Sequence, residues 1–327
     1  MSFFAIIGFI VATLLATAST SDKTAHSEQF IDANRRRFET VLKPYEMAKA
    51  YRNVAQKFRQ EEETIDQHLK DQKNPMANEN LFEGDILDEL HSESDIKEFL
   101  NPTIPIEGGE KQTFFNAVRS SYSKWPMASN GLVYIPYTVD SRYTRNARVR
   151  IAEAMATFGR RTCIRFVGRT SQRNYVRIVP FNGCSSHVGR TGGGQALSLG
   201  NGCIQRGTIE HELMHAVGFF HEQSRADRDQ YVRVLYSNII PGLEGQFLKY
   251  NLGVIDHLGT AYDYGSLMHY KLNEFGRRGA RTLRPVQQVP PGVQIGQRFS
   301  LSDNDVLKIN RLYGCDSFRR SNSRRQG

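Results

Sequence analysis

The run His211-Glu212-Leu213-Met214-His215-Ala216-Val217-Gly218-Phe219-Phe220-His221 leaves this chain little local freedom. Side chains four residues apart share one face of an α-helix. His211 and His215 therefore aim at one point if residues 208–220 are helical. Glu212 borders the same point without having to be a ligand. Gly218 tolerates positive φ and is suited to ending the helix. A turn can then return His221 toward the first two histidines. Three imidazoles hold a tetrahedral Zn²⁺ and leave a fourth position open, the arrangement of a catalytic site and not of a closed structural one. Burying three histidines and a glutamate on one apolar helix would be costly with no cation to pair them.

Composition sets the context. The 327 residues, 39% hydrophobic, suffice for a real core and a soft prior of about two domains. The net charge of +9 is uneven: residues 19–115 carry 20 acidic and 13 basic side chains, net −7, and residues 116–327 are net +16. Two parts of opposite sign are expected to attract. Residues 1–18 have no charged side chain, so the α-amino group supplies the positive charge of a signal peptide's start. An apolar run from Phe3 to Leu15 precedes Ala16-Thr17-Ala18, a small-x-small cleavage site. The run is too short for a comfortable membrane span, and no later segment approaches that length. A secreted, extracellular protein without a membrane span is expected. Cys163, Cys184, Cys203 and Cys315 all lie in the basic part. An even count in a secreted chain suggests two disulfides, with three possible pairings. The one candidate glycosylation site, Asn101-Pro102-Thr103, holds the forbidding proline.

Along the chain, Val41, Tyr45, Ala48, Tyr51, Ala55 and Phe58 recur at helical spacing within residues 41–69. Residues 71–80 read as a turn or linker around Pro75, and residues 92–115 as a connector. Residues 131–137 read as a strand, with Pro136 marking an edge or its end. Residues 143–158 suit a helix facing a core; Ile164–Val167, Tyr175–Val179 and Gln195–Leu199 read as strands, and Asp303–Tyr313 as the final helix. Residues 317–327 are expected to be a basic, disordered tail.

The extended HExxHxxGxxH form characterises the metzincin type of zinc peptidase, in which a methionine turn underlies the histidines; Ser266-Leu267-Met268-His269-Tyr270 offers one. Residues 207–229, with Glu222 directly after the third histidine, together with 262–270, 296–302 and 309–315, resemble the astacin family of metallopeptidases. The resemblance covers residues 116–316 and implies an α+β fold. That fold is a two-lobed peptidase with a mixed sheet, long helices and a cleft between the lobes, preceded by a partly helical propeptide. It implies that Tyr270 is an additional zinc ligand able to swing away and stabilise the intermediate. Glu222 would contact the mature N-terminus. Cys163 would pair with Cys315, and Cys184 with Cys203. Residues 192–199 would be the edge strand that aligns substrate antiparallel. Phe82-Glu83-Gly84-Asp85 resembles the propeptide motif whose aspartate blocks zinc, as a carboxylate oxygen can.

Two departures from the family stand out. Many relatives have a basic residue directly before an Asn-Ala at the mature N-terminus, whereas Asn116-Ala117 here follows Phe114-Phe115. The activation cut is then expected after Phe115, or after Lys111 or Arg119 with trimming. Arg35-Arg36-Arg37 is a further processing candidate, though a solvated basic face is the plainer reading. Only about ten residues follow Cys315, so substrate choice is expected to come from the peptidase domain itself. The expected function is a secreted zinc endopeptidase made as a zymogen, with one Zn²⁺ per subunit. Glu212 is its general base, and its partners are a peptide or protein substrate, its own propeptide and an activating protease. The family's taste for an acidic residue after the cut fits Arg277, Arg278, Arg281, Arg284 and Arg298. An inert zinc-stabilised binding protein is disfavoured because every catalytic side chain is present. A nucleic-acid binder is disfavoured by dispersed arginines and the absence of any nucleic-acid motif.

Overall fold

The computed structural model describes residues 39–43, 46, 75–87, 117–118, 123–250 and 255–315. The signal peptide, Arg35–Arg37, most of the amphipathic stretch 41–69, the candidate activation sites and the tail lie outside the described residues. In chain order the strands are β1 (Glu39–Thr40), β2 (Ala117–Val118), β3 (Val133–Asp140), β4 (Ile164–Gly168), β5 (Tyr175–Val179), β6 (Cys184–Ser186), β7 (Gly194–Leu199), β8 (Val232–Val234), β9 (Ile255–Asp256) and β10 (Leu283–Pro285). The α-helices are α1 (Arg145–Arg161), α2 (Arg206–Val217) and α3 (Asp303–Tyr313).

The main sheet is mixed, in the order β1-β3-β5-β7-β6 with β4 on the other side of β3. β3, β4, β5 and β7 run parallel, whereas β1 and β6 are antiparallel to their neighbours. Ile135, Tyr137, Val139, Val176, Ile178, Leu197 and Leu199 are buried, as apolar runs in a covered parallel sheet should be. Thr144 caps α1, its side chain accepting from Ala147 N. The buried positions Ile151, Ala152, Ala154, Met155 and Phe158 join the main apolar cluster, which also takes in Leu213, Met214 and Val217 of α2. A second cluster, Val232, Ile239, Phe247, Tyr262, Tyr264, Tyr270, Phe275 and Leu283, forms the core of a lobe with little regular structure. The chain passes from one cluster to the other just after α2. The disulfides are Cys163–Cys315, tying the start of β4 to the end of α3, and Cys184–Cys203. This is the pairing that the family resemblance implies.

Two expectations are corrected. Pro136 is neither at an edge nor at a strand end: β3 continues to Asp140 in the sheet interior. The β4 ladder ends at Pro136 and the β5 ladder begins at Tyr137, so the missing N–H falls where one ladder gives way to the other. Residues 192–199 are not the edge strand either. β6 covers β7 over Leu197–Leu199 and is itself the edge, because the chain doubles back before β7 and pairs Cys184 with Leu199. Among the described residues no helix is long and apolar enough to cross a membrane.

Candidate metal centre

α2 places His211, Glu212 and His215 together, all fully buried. The helix stops at Gly218, whose φ of 123° an L side chain rarely adopts, and its N–H closes onto the His215 and Met214 carbonyls. Three residues later His221 swings back. The His211 Nε2 lies 3.1 Å from His215 Nε2 and 3.2 Å from His221 Nε2.

The outer nitrogens determine what faces inward. His211 Nδ1 is 2.8 Å from the Leu267 carbonyl and His215 Nδ1 is 2.7 Å from the Phe219 carbonyl. A carbonyl only accepts, so both Nδ1 atoms carry the proton and both Nε2 atoms present lone pairs. His221 Nδ1 is held at 2.7 Å by Glu83 Oε2. Three converging lone pairs repel one another unless a cation lies among them.

The fourth donor comes from the acidic front part. Asp85 Oδ2 is 3.2 Å from His211 Nε2, and Oδ1 is 3.4 Å from both His215 and His221 Nε2. The donor atoms of Asp85, His211, His215 and His221 all lie within 4.8 Å of one another, and Asp85 Oδ1 is buried with no hydrogen-bond partner. Burial alone would raise Asp85, but the charges of His221 and His215 and the hydrogen bonds of His211 and His215 hold it well below the usual carboxylate range. Burial would likewise lower His221, yet the Asp85 and Glu83 carboxylates bring it to about 9, while burial keeps His211 well below its usual value. The pocket calls for positive charge where the imidazoles meet, and three nitrogens with one carboxylate oxygen are a donor set that zinc accepts.

Glu212, next to His211 on α2, has both carboxylate oxygens buried and unbonded among the described residues. Burial, followed by the Asp85 charge, pushes it well above the usual carboxylate range. The Tyr270 ring packs 4.8 Å from the His221 ring, and its hydroxyl donates to the Glu83 carbonyl at 2.7 Å. Met268 is buried in the main apolar cluster, next to Leu267, whose carbonyl holds His211. Its turn is held from behind by Asp305, which accepts from Ser266 Oγ at 2.6 Å and Leu267 N at 2.8 Å. The Met268 carbonyl in turn accepts from Glu222 N at 2.9 Å. The Glu222 carboxylate is buried against Lys308 Nζ, Arg225 and the Asp263 N–H. Burial would raise it, but Lys308 and Arg225 outweigh that and lower it. Ala117 bridges to Phe219, so the residue after Asn116 lies close to this corner.

Four partners carried no recognisable sequence signal of their role: Leu267 O, Asp305, Ser224 and the side chain of Glu83. Glu83 stands inside a motif noted for its aspartate, yet it also accepts from Ser224 Oγ. Gly84 beside it has φ +82°, and an added Cβ there would lie 2.8 Å from Phe275 Cζ. Of the five arginines singled out, Arg277, Arg278, Arg281 and Arg284 are exposed. Arg298 reaches inward, donating to the His269 carbonyl at 3.0 Å and, by Nε, to Met76 Sδ.

The family model described as Astacin (Peptidase family M12A) matches residues 117–314. This chain belongs to the astacin family. Zinc metalloproteinase nas-13 of Caenorhabditis elegans is 44% identical over 297 residues, which cover 90% of this chain and 61% of the relative. Zinc metalloproteinase nas-4 of the same organism is 50% identical over 202 residues, 61% of this chain and 62% of the relative. The chain thus spans under two thirds of the length of either. The solved structure of high choriolytic enzyme 1, a hatching enzyme zinc-protease from Oryzias latipes, is similar with a TM-score of 0.58 and 45% identity, covering 61% of this chain and 100% of that one. The astacin-type α+β fold accounts for the mixed sheet and for the helix that carries the histidines. Zinc is the metal that this donor set and this family share.

Proposed function

We propose that this chain is a secreted zinc endopeptidase made as a zymogen. Residues 1–18 act as its signal peptide, 19–115 as an inhibitory propeptide, 116–316 as the peptidase domain and 317–327 as a tail. The observation that carries this reading is Asp85, a residue of the acidic front part, with its carboxylate against all three histidines. Around it the segment 82–87 is tied to the edge of the sheet. Ser186 N donates to Asp85 O at 2.9 Å, and Leu87 N donates to Ser186 O at 2.8 Å. An exposed edge of this kind pairs with any extended backbone, so a substrate can use the same groups once the front part leaves.

Zinc, when held by His211, His215 and His221, supplies Lewis acidity: it makes water acidic enough to lose a proton near neutral pH and polarises a peptide carbonyl. Glu212 takes that proton on a carboxylate oxygen and passes it to the departing amine. Its burial favours the protonated form and so suits it to both halves of the transfer. Tyr270 Oη, released from the Glu83 carbonyl, turns its proton toward the substrate oxygen that gains charge. Met268 and Asp305 keep the histidine floor rigid. Glu222 is the group that would meet the new N-terminus after activation, taking a third cation beside Lys308 and Arg225. Arg298, alone of the five arginines in reaching inward, favours an acidic side chain after the cut.

The test uses the full chain, a fluorogenic peptide and zinc analysis. Processed enzyme should cleave the peptide, lose activity to a chelator and regain it with Zn²⁺. Glu212→Gln should retain zinc and lose about 100-fold or more in kcat. Full turnover by that variant sinks the assignment.

A further inference from the structure

The front part touches the peptidase domain at two separate places, one on each edge of the main sheet. Residues 85–87 lie beside β6 at the cleft. At the opposite edge, β1 pairs antiparallel with the end of β3, Thr40 opposite Val139 and Glu39 opposite Asp140. This stretch of β3 lies beyond the β4 ladder, which ends at Pro136. Its outward backbone groups are therefore open to an added strand.

Side chains make the docking selective. Thr40 Oγ1 donates to the Val139 carbonyl at 2.7 Å. Leu42 is 5% exposed and enters the main apolar cluster. Val41 packs on Gly168, where an added Cβ would lie 3.1 Å from Val41 Cγ1. Arg148 of α1 spends its guanidinium on this segment, with Nε on Glu46 Oε1 at 3.1 Å and the two terminal nitrogens on Thr40 Oγ1 at 2.9 Å and the Val41 carbonyl at 2.6 Å. Glu46 is 1% exposed, and its carboxylate also accepts from Lys43 N, while its own N–H donates to the Lys43 carbonyl at 2.9 Å. None of these contacts involves the histidine site.

We propose that the end of β3, Gly168 and Arg148 form an exosite of the peptidase. It takes a short extended segment with an apolar side chain two residues after the one opposite Val139, followed by a turn that brings a carboxylate six residues after it onto Arg148. Residues 39–43 and 46 fill it here, and substrates of that form can fill it after the front part is cut away. Backbone pairing supplies affinity, while the apolar hole and the charge-assisted contacts of Arg148 supply specificity. Two linked sites also strengthen the front part's hold without any new contact at the zinc. The inference rests on the peptidase reading above.

The test takes the full chain, processed to its active form and freed of the front part, and titrates it into a labelled peptide of residues 36–49. Anisotropy should show saturable binding. The Glu46→Gln and Thr40→Pro peptides should each bind about tenfold more weakly, as should the wild-type peptide on Arg148→Gln enzyme. A short fluorogenic peptide that reaches only the cleft should be cut equally by wild-type and Arg148→Gln enzyme, and the 36–49 peptide should not compete with it. The same substrate extended with residues 39–46 should show a lower KM at unchanged kcat, an advantage lost in Arg148→Gln. Absence of saturable binding up to about 1 mM, the upper end of weak specific association, overturns the proposal. So does binding of both altered peptides as tightly as the wild-type peptide, or competition with the short substrate. If the short peptide is not cut at all, the peptidase reading fails, and anisotropy still decides the exosite.

Discussion

Replacing Glu83 with glutamine keeps the size of the side chain and removes its charge. Glu83 is fully buried, with Oε2 2.7 Å from His221 Nδ1 and Oε1 accepting from Ser224 Oγ. A glutamine offers one acceptor where two are used. Its amide oxygen can stay on His221, and its NH₂ must face Ser224, whose hydroxyl can rotate and accept. Two bonds to a charged acceptor, about 1.5–3 kcal/mol each, become neutral bonds of about 0.5–1.5 kcal/mol. The net loss is about 2–3 kcal/mol, or about 30- to 150-fold in affinity. The Tyr270 hydroxyl bonds the Glu83 main-chain carbonyl and keeps its partner. The assay adds residues 19–115, wild type or Glu83→Gln, in trans to processed enzyme and reads the inhibition constant on a fluorogenic peptide. Asp85→Ala is the positive control. An inhibition constant for Glu83→Gln within about twofold of wild type, below any bond's worth, while Asp85→Ala raises it, would refute the claim that Glu83 helps to lock the site.

The net −7 of the front part against +16 behind it should make docking salt-sensitive. Raising ionic strength from about 0.1 to 1 M shortens the screening length from about 10 to 3 Å, so the inhibition constant should rise, and a flat response contradicts the charge reading. Removing Cys163–Cys315, which closes 152 residues, should cost more stability than removing Cys184–Cys203, which closes 19. The chain-entropy scale gives about 5 against about 3 kcal/mol, and thermal melts in the opposite order would count against it. Burial pushes the Asp305 carboxyl up to about 6 despite Lys308 nearby. Its folded form holds the proton more tightly than the unfolded chain, so the stability it contributes is present below about pH 4 and lost as pH rises through 6. Melting curves for wild type and Asp305→Asn across pH 4–7 should therefore diverge in slope over that window, and parallel curves would disprove the assignment.

Much of the site is legible in order of residues because helical periodicity is local. Positions 211 and 215 meet on one face whatever surrounds them, and Gly218 permits the turn that returns His221. The strands expected at 164–167 and 175–179 and the helix expected at 303–313 are present, because apolar runs between turn residues are also local. The edge of the sheet was not legible. Alternation marks Gln195–Leu199 as strand, but only the pairing of Cys184 with Leu199 makes β6 the outer strand. Pro136 misled for a related reason: a missing donor is harmless where two ladders change over, and that changeover depends on partners about 30 and 40 residues away.

By itself the sequence determined a zinc-binding helix and turn, an acidic front part with an aspartate motif, and family membership. Each rests on residues close together in the chain or on a pattern preserved along it. Only the tertiary structure decided which carbonyl holds His211, 56 positions away. It also showed Glu83 on His221 and residues 39–40 on the far edge of the sheet. Contacts of that range leave no period in the sequence, because packing and hydrogen bonding choose them only after the chain has collapsed.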